Sequence, residues 1–184
     1  MRFNTTELIS DLRKRTEENI TRAENLSQLQ RSNLLSRPAE NKWNALECIE
    51  HLLKYGDFYI PEITARIKNH KPSINPEFKS SWLGNYFAES VAPIKSDKRA
   101  KKMSTLKPMN TFKTQLREGA LSKFIVQQKE ILEILKFIKN YDLNKIKTGI
   151  TISNLIKLRL GDTLRVLIYH NQRHLDQAEM ASKI

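Results

Sequence analysis

Apolar positions recur at helical spacing through most of this chain. Leu8, Ile9, Leu12, Ile20, Ala23, Leu26 and Leu29 fall on one stripe behind Thr5 or Thr6 as a cap, and predict a first helix over residues 6–30. A sharper start signal stands at Trp43-Asn44-Ala45-Leu46-Glu47, where Asn44 suits the N-cap and Glu47 sits at its N3 position, the spacing of a capping box. The helix that follows should run to about residue 69. Leu46, Ile49, Leu52, Leu53, Ile60, Ile63 and Ile67 form one apolar face, and Cys48, His51, Tyr55, Phe58 and Tyr59 form a second flank. Only a narrow polar strip through Glu50, Lys54 and Asp57 is left, so this helix is buried nearly all round. Pro61 is expected to kink it.

Residues 70–108 contain Pro72, Pro76, Pro93 and Pro108 with Gly84 between them, and read as a long crossover with little regular structure. Leu116, Leu121, Phe124, Ile125, Ile131, Leu132, Leu135 and Ile138 predict a third helix over 111–140. Residues 141–160 form a connection whose Ile146, Ile150, Thr151 and Ile152 admit a short strand. Gly161-Asp162 then opens a fourth helix to about residue 181, with Leu164, Leu167, Ile168, Asn171, Leu175 and Ala178 facing inward. The fold class is all-α: a four-helix bundle with a long crossover between helices two and three, in one domain over 1–184. Such bundles build metal sites from side chains on facing helices.

Composition narrows the class. At 184 residues and 21.5 kDa, with 39% hydrophobic and 28% charged residues, the chain can enclose one core. A single cysteine, Cys48, excludes an intrachain disulfide framework and a cysteine zinc cluster. The charged N-terminus has no apolar signal region, and no stretch approaches the roughly 18 apolar residues of a membrane span, so a cytoplasmic protein without a membrane partner is expected. The net charge of +12 is uneven: residues 71–160 hold 18 basic and 7 acidic residues, with a dense run at Lys98, Arg99, Lys101 and Lys102. Aromatics are not interleaved with that run as a base-stacking platform requires, so nucleic acid is disfavoured as a partner.

The chemistry lies in the histidines. His170 and His174 stand four apart in Tyr169-His170-Asn171-Gln172-Arg173-His174, which stacks two imidazoles on one helical face. His51 sits on the aromatic flank of the second helix. If those helices are neighbours, three neutral nitrogen donors converge with a fourth position open, the pattern of a catalytic metal site. Imidazole-only ligation suits Zn, Ni, Fe or Cu. Position 171 is Asn, so the glutamate of an H-E-x-x-H peptidase is missing.

Trp43-Asn44-x-x-Glu47-x-x-x-His51 followed by Tyr169-His170-x-x-Arg173-His174-x-x-Gln177 resembles the DinB/YfiT-like family, in motif order, crossover and length. The resemblance implies a four-helix bundle whose metal is held by His51, His170 and His174, with zinc or nickel favoured over iron or manganese. Relatives of this kind include bacillithiol S-transferases and mycothiol-dependent maleylpyruvate isomerases. It therefore implies a metal-dependent enzyme that activates a low-molecular-weight thiol, or water, for attack on a small-molecule substrate. The alternatives are a non-catalytic metal-binding bundle, holding metal for stability or homodimerisation, and a basic stress-response protein that binds nucleic acid.

Neighbouring residues each carry two readings. Glu47 is a helix cap, or else a general base or an acceptor behind an imidazole; Gln177 orients a ligand or bound water or is a surface amide; and Tyr55 and Tyr59 present hydroxyls to the open position or pack in the core. Cys48 is a small buried thiol or a fourth ligand. Arg173 points away from His170 and His174 on a helical wheel, toward a salt bridge with another helix, and His70 is expected to be exposed and uninvolved.

Overall fold

The computed structural model describes residues 1–93 and 105–183. They are mostly helical: α1 (Thr5–Ser27), a short α2 (Arg31–Leu35), α3 (Ala45–Lys68), α4 (Trp82–Val91), α5 (Ala120–Ile138) and α6 (Leu160–Ala181). Two small antiparallel sheets join them. β1 (Arg2–Asn4) pairs with β2 (Glu77–Lys79), and β3 (Lys147–Ile150) pairs with β4 (Ser153–Arg159). The basic run Lys98, Arg99, Lys101 and Lys102 lies outside the described residues.

The four long helices close a ring in which α1 and α3 each pack against both α5 and α6. Their apolar stripes fill it with two clusters. One joins Leu12, Ile63, Ile131 and Leu164, and the other joins Leu26, Ile49, Phe124 and Leu175. A third, smaller cluster of Ala88, Val91, Ile150, Leu158 and Val166 lies where α4 and the β3–β4 hairpin cover α6.

Helix starts follow side-chain capping. Asn44 Oδ1 accepts from Glu47 N at 2.8 Å while Glu47 Oε2 accepts from Asn44 N at 3.0 Å, so the capping box is formed and α3 runs on through Pro61. The first helix begins one residue earlier than its sequence signal. Asn4, not Thr5 or Thr6, is its cap, accepting from Thr6 N at 2.9 Å and Glu7 N at 3.1 Å, and the helix ends at Ser27.

Three expectations change. The crossover is not featureless: it holds β2, α4 and a 3-10 turn at Lys107–Met109. Ser81 caps α4, and Leu83, Phe87, Ala88 and Val91 make a short apolar stripe that the surrounding prolines obscure in the sequence. The third long helix starts at Ala120 instead of near residue 111, because the preceding segment is fastened to the first turns of α3. Thr111 Oγ1 donates to Glu47 O (2.8 Å), Lys113 N to Glu47 Oε1 (2.5 Å) and Arg117 N to Glu50 Oε2 (3.0 Å). The fourth helix starts at Leu160, capped at Arg159. Asp162 does not cap it; its carboxylate instead accepts from Ser80 Oγ at 2.5 Å and Ser81 N at 3.0 Å.

Candidate metal centre

α3 and α6 lie side by side, which brings His51 to the pair His170 and His174. The candidate ligand nitrogens of the three residues lie within 4.8 Å of one another. His51 Nε2 and His170 Nε2 stand 3.3 Å apart. That separation matches the edge of a tetrahedron with metal–nitrogen bonds of about 2.0–2.1 Å. His51 and His170 are buried and His174 is half-buried.

Local contacts fix which nitrogen of two rings faces inward. His51 Nδ1 lies 2.7 Å from Met109 O, and a carbonyl can only accept, so Nδ1 carries the proton and Nε2 keeps its lone pair. Gln177 Oε1 lies 2.9 Å from His174 Nδ1 and does the same for that ring. Among the described residues the buried His170 Nδ1 has no hydrogen-bond partner. Burial is the first cause that holds all three below the ordinary imidazole value, His51 at about 4 and His174 at about 3, with His170 well below it. The cluster is therefore three neutral imidazoles at pH 7, a donor set that fits a borderline divalent cation.

Aromatic rings enclose the cluster. Trp43 packs on His51 and His174 with centroids at 4.7 and 5.7 Å, and Tyr55 lies 4.8 Å from His51 and 4.3 Å from His170. Burial pushes the Tyr55 phenol up to about 12, so it stays protonated. The cluster opens onto a cavity of about 520 Å³ between α3, α4, α6 and the β3–β4 hairpin. That volume is typical of small-molecule sites.

The other singled-out residues separate clearly. Glu47 does not touch the imidazoles. It caps α3, accepts from Nη1 and Nη2 of Arg37 at 2.6 and 2.7 Å, and accepts from Lys113 N. Burial pushes its carboxyl up, but Arg37 and the Asn44 and Lys113 amides outweigh this and hold it below the usual value. The effect on the site is indirect: Glu47 anchors the segment that carries the Met109 carbonyl to His51. Cys48 lies in the core cluster that joins Leu26, Ile49, Phe124 and Leu175, with its thiol pushed up by burial. His70 is exposed at the far end of α3. Arg173 lines the cavity and reaches another helix, donating to Ser90 O on α4 at 3.0 Å.

The Met109 carbonyl and Arg37 are missed by the sequence reading. A backbone acceptor has no residue signature, and Arg37 looks like any loop arginine until Glu47 is seen to be buried.

The family model described as the DinB superfamily matches residues 12–178, most of the chain and all three histidines. No curated protein matches the chain, and no solved structure does.

Proposed function

The chain belongs to the DinB superfamily, and from that membership together with its converging imidazoles we propose that it is a metal-dependent enzyme acting on a small molecule. The observation that carries this reading is the meeting of three neutral histidines, two buried and one half-buried, at the wall of a cavity of ligand size. His51, His170 and His174 would hold one divalent ion, zinc or nickel before iron or manganese. Such an ion supplies Lewis acidity that lowers the pKa of a thiol or water bound to it, so that the anion forms near neutral pH.

The protein's own groups prepare that chemistry. Met109 O and Gln177 Oε1 hold two rings in the tautomer that offers Nε2. Trp43 and Tyr55 shield the cluster from bulk water, which strengthens electrostatic interactions there. The Tyr55 hydroxyl, protonated at neutral pH, is a donor for a bound oxygen or sulfur. The reading includes one domain built as a four-helix bundle, with the β2–α4 segment inserted in its crossover, in a cytoplasmic protein that forms homodimers.

Elemental mass spectrometry on protein purified without a histidine tag tests the site. About one metal per chain, lost in both His51→Ala and His174→Ala, is the expected result. No metal after reconstitution with zinc, nickel, iron or manganese would overturn the proposal. A thiol-transfer screen of the loaded protein then separates thiol from water as the activated group.

A further inference from the structure

The cavity is chemically divided along its length. On α3 its wall is made by His51, Tyr55 and Tyr59, on successive turns, and on α6 by His174, His170 and Val166, running the opposite way. His51 and Tyr59 are eight residues apart, so the two ends are separated by about 12 Å along the axis. At the histidine end the lining includes the exposed Asn41, Lys42 and Gln177. At the Tyr59 end it includes Phe87 and Val91 from α4, Ile150 and Leu158 from the hairpin, and Val166 from α6, with Thr151 beside Tyr59 and Arg173 reaching Ser90 O next to Val91. Four of the five apolar residues belong to the small third core cluster, and Phe87 packs against it. No carboxylate lines the cavity among the described residues.

A space walled mostly by core-type side chains gains from an apolar occupant. The polar groups nearest that end face one another: Thr151 N donates to Tyr59 Oη at 3.4 Å, which leaves the phenol hydrogen as the donor there. We propose that the substrate of this site is a two-part molecule: a neutral or anionic, metal-binding head at the histidines and an unbranched or aromatic apolar tail that fills the chamber between α4, the hairpin and Val166. The proposal rests on the metal-centre reading for the head; the tail chamber stands on its own residues.

A hydroxamate series tests it. Acetohydroxamate, butanohydroxamate and hexanohydroxamate share one metal-binding head and differ only in tail length. Isothermal titration into zinc-loaded protein should show Kd falling about three- to fourfold per added methylene, the value of burying one CH₂. Val166→Phe should erase the gain between the four- and six-carbon tails and leave acetohydroxamate unchanged. In chelator-stripped protein every affinity should drop while the dependence on tail length persists.

A Kd independent of tail length on the loaded, unsubstituted protein would overturn the tail chamber while leaving the metal centre standing. Tail-length dependence in stripped protein that zinc loading does not strengthen would sink the metal-held head and retain the chamber. Because the unsubstituted protein alone decides between these outcomes, a Val166→Phe chain that failed to fold would not rescue the proposal.

Discussion

Arg165 offers the most quantitative test of how the cavity wall is held. Its guanidinium is 1% exposed, and it joins α6 to everything packed over that helix's first turns. Nη1 donates to Ser80 Oγ at 3.1 Å and lies 3.5 Å from Asp162 Oδ1, while Nη2 donates to Asn85 Oδ1 and Glu89 Oε1, both at 3.1 Å. The Phe3 ring lies 4.6 Å from the guanidinium carbon. Asp162 is itself fully buried. Arg165→Met keeps most of the volume but leaves the Asp162 carboxylate enclosed with only serine and backbone donors. Removing one member of a buried pair costs about 3–5 kcal/mol. For a chain of this length that is a fall in Tm of roughly 6–20 °C. Asp162→Asn should cost a similar amount. The double variant should cost clearly less than the sum, with a coupling on the order of 1–3 kcal/mol, because no charge is then left stranded. Urea unfolding followed by circular dichroism measures all three chains. A loss below about 1 kcal/mol for Arg165→Met, or strict additivity in the double variant, would show that Arg165 and Asp162 do not act as a coupled buried pair under α4.

Three further perturbations probe the site and its frame. Gln177→Leu removes the acceptor on His174 Nδ1 and should weaken metal affinity about 10- to 100-fold, read by chelator competition; affinity within twofold of the unsubstituted protein would count against that role. In the metal-free protein, histidines held near 4 and 3 bind protons only after the unfolded chain does. Their contribution to stability is therefore complete above about pH 6.5 and is lost as pH falls toward 4, at up to about 1.4 kcal/mol per pH unit for each ring. Urea midpoints between pH 7 and pH 5 should show His51→Leu reducing that slope, and an unchanged slope would refute the assignment. Gly161→Ala places a methyl 2.6 Å from the fully buried Phe78 ring, which cannot move aside. It should cost about 1–3 kcal/mol, and a melting temperature equal to that of the unsubstituted protein would contradict the packing.

Much of this was readable in the sequence because the signals were local. The Asn44–Glu47 capping box, the α3 faces and the His170–His174 spacing are decided by residues within two turns of one another. That His51 meets the pair depended on the adjacency of α3 and α6, which the spacing supplies only as a condition. What escaped was set at a distance. The start of α5 is delayed to Ala120 by hydrogen bonds to residues more than 60 positions earlier. The ten-residue α4 has enough apolar character for one short face, yet its orientation depends on Arg165 and Asp162, neither of which signals a partner in the chain's order.

The interruptions of the apolar stripes carry information of their own. On α1 the two large core clusters are separated by the buried Thr16 and Asn19, on α5 by Gln128, and on α6 by His170 and Asn171. On α3 the change falls between Leu53 and Tyr59, beside Tyr55 and one turn from His51. These breaks lie at one level, so a polar layer crosses the middle of the molecule and the histidine cluster is its open edge. Away from that edge the layer is poorly paid in hydrogen bonds. Gln128 Oε1 accepts from Asn19 Nδ2 at 3.4 Å and Asn171 Nδ2 at 3.2 Å, while among the described residues the Oδ1 atoms of both asparagines are buried without a partner. Each unsatisfied group costs about 1–3 kcal/mol, and apolar residues of similar size would remove that cost. The chain forgoes this stability at the level where its imidazoles must be kept neutral, oriented and reachable from the cavity. The positions that weaken the helical pattern in the sequence are thus the ones that mark where the site lies.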